Sequence, residues 1–168
     1  MCNFSFVFIV VEVRVFIMSS LMDKMREMKH NLNIAWEIES SILSPRLFTK
    51  KDFSYSIAML SHLIDQFQII DAQLSSFKTN NNNVLDYINH AVSYNKSTVS
   101  YIDHLLVIAT KLMNKSKGLA YGYFEYKKDI KNFEEIQKEC SKEGILLEDC
   151  FLKNYHDIMI VDKGKNVF

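Results

Sequence analysis

The sequence predicts an all-α fold: an up-down bundle of four long helices, a short C-terminal helix or extended tail, and an apolar N-terminal segment outside the bundle. Three observations predict it. An apolar stripe of Leu85, Ile88, Val92, Asn95, Val99, Ile102, Leu106, Ala109 and Met113 recurs at three- and four-residue steps, broken only by Asn95. That spacing keeps one face of a single long helix apolar. Segments before and after it repeat the pattern. One Pro and four Gly in 168 residues leave long stretches without the punctuation that many short strands require.

Composition sets the bounds. Residues 19–168 read as one helical-bundle domain, preceded by an extension over 1–18, and an apolar fraction of 48% suffices for a core without disulfides or metals. Twenty basic side chains balance twenty acidic ones, so no global field points to nucleic acid or to an anionic membrane surface. Cys2, Cys140 and Cys150 are odd in number and show no CxxC spacing. Free thiols in a reducing compartment, the cytoplasm, are the simplest reading.

Residues 4–17 depart from the helical pattern: they are rich in Val and Phe, and interrupted by Glu12 and Arg14. No positive charge precedes the run and no small-residue cleavage site follows it, so it makes a poor signal peptide. It is shorter than the roughly 20 apolar residues of a membrane span. Its β-branched content suits a strand, for which the chain offers no evident partner. A start at Met18 would open the protein directly at a helix N-cap. A dispensable extension, an apolar arm and a membrane anchor all remain open, and a membrane role runs only through residues 4–17.

Ser19 and Ser20 suit the N-cap of the first helix, with Asp23 in the first turn where the helix dipole favours an anion. Leu21, Met25, Met28, Leu32, Ala35, Glu39 and Ile42 carry that helix to about Leu43, and Ser44-Pro45 ends it. Thr49 and Asp52 resemble a capping box for the second helix. Its stripe is Phe53, Ile57, Leu60, Ile64, Phe67, Asp71 and Leu74, closing near Phe77. Residues 78–83 form a polar loop whose Asn83 can cap the third helix. Gly118, after Lys115 and Lys117, suits its C-terminal cap. Leu119, Tyr123, Tyr126, Ile130, Phe133, Gln137 and Cys140 mark a fourth helix, weakened at Gly122 and expected to stop at Gly144. Residues 146–161 then add a shorter helix, through Leu147, Phe151, Tyr155 and Ile158, or run extended; both readings stand. Short connections set consecutive helices antiparallel.

Candidate chemistry is sparse. Each stripe carries one polar residue: Glu39, Asp71, Asn95 and Gln137. Carboxylates in a bundle core can hold two metal ions, but such centres use a Glu-x-x-His pair on each of two helices, which this chain does not supply. Antiparallel register separates Glu39 from Asp71 and places Asp71, Asn95 and Gln137 in one polar core layer. Such a layer is expected to fix helix pairing. His90 and His104 share the outward face of the third helix near Asp86 and Asp103, where solvated surface outweighs weak metal binding. His62 with Asp65 reads likewise. Cys140, on the stripe, and Cys150 read as inert core thiols. Tyr121, Phe124, Lys127 and Lys128 form an outer patch, solvated or facing a partner. No catalytic residue, metal or cofactor is expected.

Large side chains outside the heptad core, at Trp36, Tyr55, Ile69, Phe77, Tyr87, Tyr94 and Tyr101, suit contact with another helix or subunit. The leading expectation is a non-enzymatic interaction module: an adaptor, regulator, chaperone or immunity-type inhibitor. It would bind a protein partner or a second copy through Trp36, Tyr87, Tyr94 and Tyr101. A membrane-associated protein anchored by residues 4–17, and a small helical enzyme built on the polar layer, are the alternatives.

Overall fold

The computed structural model describes residues 20–43 and 52–164; the expectations for residues 1–18, Ser19, Ser44, Pro45 and Thr49 lie outside them. The first helix, α1 (Leu21–Ile42), opens as the sequence anticipates. The Ser20 hydroxyl accepts from the Asp23 amide at 3.1 Å, and the Asp23 carboxylate accepts from the Ser20 amide at 3.3 Å. This is a capping box with Asp in the place of Glu. The second helix, α2 (Ser54–Ser75), begins after Phe53, which makes no side-chain cap; Asp52 instead accepts from the Ser54 amide at 2.8 Å. The third helix, α3 (Asn82–Ser116), is capped by Asn81 rather than Asn83. The Asn81 side-chain oxygen accepts from the Asn83 and Val84 amides, the two orphan donors a cap must reach. Gly118 ends α3 at a φ of 92°. The amides of Gly118 and Leu119 bond back to the Lys115 and Asn114 carbonyls, the crossed pair of a Schellman turn that favours glycine.

The last helix, α4 (Tyr123–Gly164), runs unbroken for 42 residues, about 63 Å. The expected stop at Gly144 does not occur, and residues 146–161 are neither a separate helix nor extended. A single helix-interior glycine costs only about 1 kcal/mol. Leu147, Cys150 and Ile158, all buried beyond it, hold the helix against the bundle. At the other end Leu119 and Tyr123 are exposed, because Leu119 lies in the connection and α4 engages the core only from Tyr126.

α3 is the helix the other three share. On one side the Asn95 amide donates to the Phe67 carbonyl of α2 at 2.9 Å, and Ser54 meets Met113 at 3.7 Å. On the other side Asn83 pairs with Asp157, Thr98 with Cys140 and Lys111 with Asp129. Numbers fall along α4 as they rise along α3, nearly one for one, so the two pack antiparallel over most of their length. α1 rests on α2 and α3. Serving neighbours on both sides, α3 buries a second heptad stripe through Val84, Tyr87, Ala91, Thr98, Tyr101, Leu105, Ile108 and Leu112. Among the described residues, no helix is long and apolar enough to cross a membrane.

Candidate functional site: an aromatic groove between α1 and α4

α1 and α4 touch near the two ends of α1 and part between them. At one end the Met22 amide donates to the Asp162 carboxylate at 3.4 Å. At the other the Gln137 amide donates to Glu39 at 3.3 Å. Between these bridges α3 forms the floor of a groove made of two adjoining cavities, of about 440 and 450 Å³. Both are lined by Leu32 and Trp36 of α1, Tyr94 of α3, and Gly144 and Glu148 of α4. Tyr87 and Phe151 belong to the first, Tyr101 and Ile145 to the second.

All four aromatic residues singled out in the sequence therefore meet at this groove, in different roles. Trp36 stands at its lip, 50% exposed. Tyr94 is half-buried in the floor. Tyr87 and Tyr101 are only 3% and 1% exposed, so they are core residues beneath the groove rather than free surface. α4 covers them: Phe151 packs on Tyr87 with ring centroids 5.6 Å apart, and Phe133 on Tyr101 at 5.3 Å. Their place on the second heptad stripe of α3 was the signal that a helix of the same chain covers them. Tyr55 and Ile69 are exposed away from the groove.

The Tyr101 hydroxyl donates to the Glu39 carboxylate. Burial first, then that hydrogen bond, push its ionisation far above the usual phenol range. Tyr94 is pushed up to about 12, chiefly by burial and then by nearby Cys140. Both phenols stay neutral at physiological pH, and what the groove offers is apolar contact area with a few hydroxyl and carboxylate partners.

The polar residues do not form one layer. Asp71 and Asn95 line a recess of about 210 Å³ with Gln68, Lys96 and Val99 on the α2 side of α3. Gln137 lies on the opposite side with Glu39 and Tyr101. The division follows from α3 pairing with α2 through one stripe and with α4 through the other. The side-chain oxygen of Asn95 and one oxygen of Asp71 are buried without a hydrogen bond among the described residues.

Tyr121 is buried rather than part of an outer patch; its hydroxyl donates to Asp129 at 2.7 Å beside the Lys111 ammonium. Phe124 is exposed, and Lys127 lies over the Tyr123 ring at 5.1 Å. Among the described residues, one group of metal-type side chains converges: Asp86, His90 and Cys150. His104 and Asp103 are not members of it. Asp86 and His90, one turn apart, were visible in the sequence; that Cys150 faces them was not. No family model matches the chain, and no curated protein and no solved structure matches it.

Proposed function

We propose that the chain is a non-enzymatic interaction module, of the adaptor, regulator, chaperone or immunity-inhibitor kind, whose α1–α4 groove receives an amphipathic helix of a partner protein. The observation that carries this reading is an apolar trough with Trp36 at one lip and Ile145, 61% exposed, at the other. Tryptophan is among the residue types that dominate binding energy when a partner buries it. From Met25 to Trp36 the α1 wall is about 16 Å long, which fits about three turns of a helix that anchors side chains at i, i+3/i+4 and i+7. Such an occupant satisfies its own backbone, so its apolar face can enter the groove without stranding polar groups. The free thiols of Cys140 and Cys150 support a reducing, cytoplasmic setting.

The test is site-specific photo-crosslinking in the source cells, with the crosslinker at Ile145 and, as a control, at exposed Tyr55. The reading expects one protein adduct from position 145, none from position 55, and its loss in Trp36→Ala. Equal adducts from both positions, or none from 145, would remove it. An adduct of the chain with itself would assign the groove to a second copy and overturn the partner-helix reading.

A further inference from the structure

The geometry points to a Zn²⁺ site formed by Asp86 and His90 of α3 and Cys150 of α4. It is independent of the groove reading. Asp86 and His90 are spaced i, i+4 and so present their side chains on one face. The antiparallel register brings Cys150 opposite them. The Cys150 sulfur lies 3.5 Å from one Asp86 oxygen, and His90 Nε2 lies 3.9 Å from the other. All three ligand atoms fall within 4.8 Å of one another. Zinc bonds of about 2.0–2.3 Å at tetrahedral angles separate ligand atoms by about 3.3–3.7 Å. Small side-chain rotations therefore close the set on an ion without moving either helix.

The donor types choose the metal. Calcium and magnesium take oxygen ligands, whereas a thiolate, an imidazole and a carboxylate together suit zinc. Access is open on one side, because the Asp86 and His90 side chains are 58% and 33% exposed, while the sulfur is buried. Three protein ligands leave a fourth position for water. Behind the sulfur, the buried Asn154 amide lies 3.4 Å from Cys150 Sγ and donates to it, the kind of outer support that orients a ligand. On binding, the thiol proton passes to solvent and a metal–sulfur bond replaces the S–H bond. The ion would pin α3 to α4 about one-third of the way along α4 from its C-terminal end.

The experiment uses the untagged full-length chain with Co²⁺ as a spectroscopic stand-in for Zn²⁺. We expect a thiolate-to-cobalt charge-transfer band that saturates at one ion per chain and is displaced by Zn²⁺. The band persists in Cys2→Ser and Cys140→Ser, and disappears in Cys150→Ser. His90→Ala, at a part-exposed position that leaves the circular dichroism unchanged, weakens binding at least about 100-fold, more than loss of an outer-shell partner does. A folded wild-type chain without the band, or a band unchanged in His90→Ala, overturns the assignment.

Discussion

A β-carbon on Gly144 of α4 would lie 3.1 Å from Cε2 of Tyr94 on α3, inside the roughly 3.5–4.0 Å of ordinary carbon contact. The glycine lets α4 lie close against the ring that floors the groove. Tyr94 is only half-buried and borders open space, so its ring can yield slightly. Alanine is favoured over glycine by about 1 kcal/mol inside a helix. Gly144→Ala is therefore expected to stabilise the fold by about 0.5 kcal/mol, allowing for the ring's displacement. Urea unfolding checks this through a higher midpoint at unchanged slope; a lower midpoint would mean that Tyr94 is held fixed.

Tyr101 joins three helices by donating to Glu39 on α1 while stacking on Phe133 of α4. Tyr101→Phe keeps the stacking and removes only the hydroxyl. Glu39 is part-exposed and keeps Gln137 as a donor, so the expected cost is near the low end for hydrogen bonds to charged groups, about 1.5 kcal/mol. A double-mutant cycle with Glu39→Ala, which removes the acceptor, should recover most of that value as coupling. A cost below experimental error would show that water replaces the phenol without loss.

Asn95 is buried, its side-chain amide donating one hydrogen bond to Phe67 and its side-chain oxygen unpaired among the described residues. The Phe67 carbonyl lies inside α2, where the helix's own ladder can satisfy it. Asn95→Leu should therefore raise stability by about 1 kcal/mol, through relief of a poorly satisfied polar group. It should also weaken the choice of helix pairing that a single buried Asn imposes. Light scattering after size exclusion would then resolve more than one associated state. A lower melting temperature with one sharp species would contradict both expectations.

Acid should loosen the junction between α3 and α4. Burial raises the Asp129 ionisation, but hydrogen bonds from Lys111 and Tyr121 and the Lys111 charge outweigh it and hold the carboxyl below its usual range. A folded-state pKa below the unfolded value adds stability above the unfolded value, and that stability is lost as pH falls through the folded one. Asp129→Asn should cost about 1 kcal/mol near neutrality, with Lys111 part-exposed and screened. The gap from wild type should close as pH drops below about 4. A gap of constant size from neutral to acid pH would show that the charge on Asp129 contributes nothing.

Much of the helix layout was legible because its signals are local. Ser20 with Asp23 caps α1, and Gly118 closes α3, at the positions those residue types predict. Apolar spacing placed Met28, Leu32, Ala35, Phe67, Leu74, Ile88, Ile102 and Ala109 in the core. Gly144 misled because glycine serves two needs, ending a helix or admitting a close neighbour, and only the position of Tyr94 distinguishes them. For the site, the sequence selected Trp36, Tyr87, Tyr94 and Tyr101 as a second apolar set, without showing that two of them lie beneath α4.

The sequence by itself determined where helices form and which of their faces are apolar, because hydrogen bonding, capping and periodicity act over a few residues. The tertiary structure alone decided which faces meet. It set α3 at the centre, separated Gln137 from Asp71 and Asn95, opened the groove between α1 and α4, and brought Cys150 to Asp86 and His90. Those outcomes depend on the rotation and register of one helix against another. That choice is made by packing between residues far apart in the chain, which the period of a single stripe does not encode.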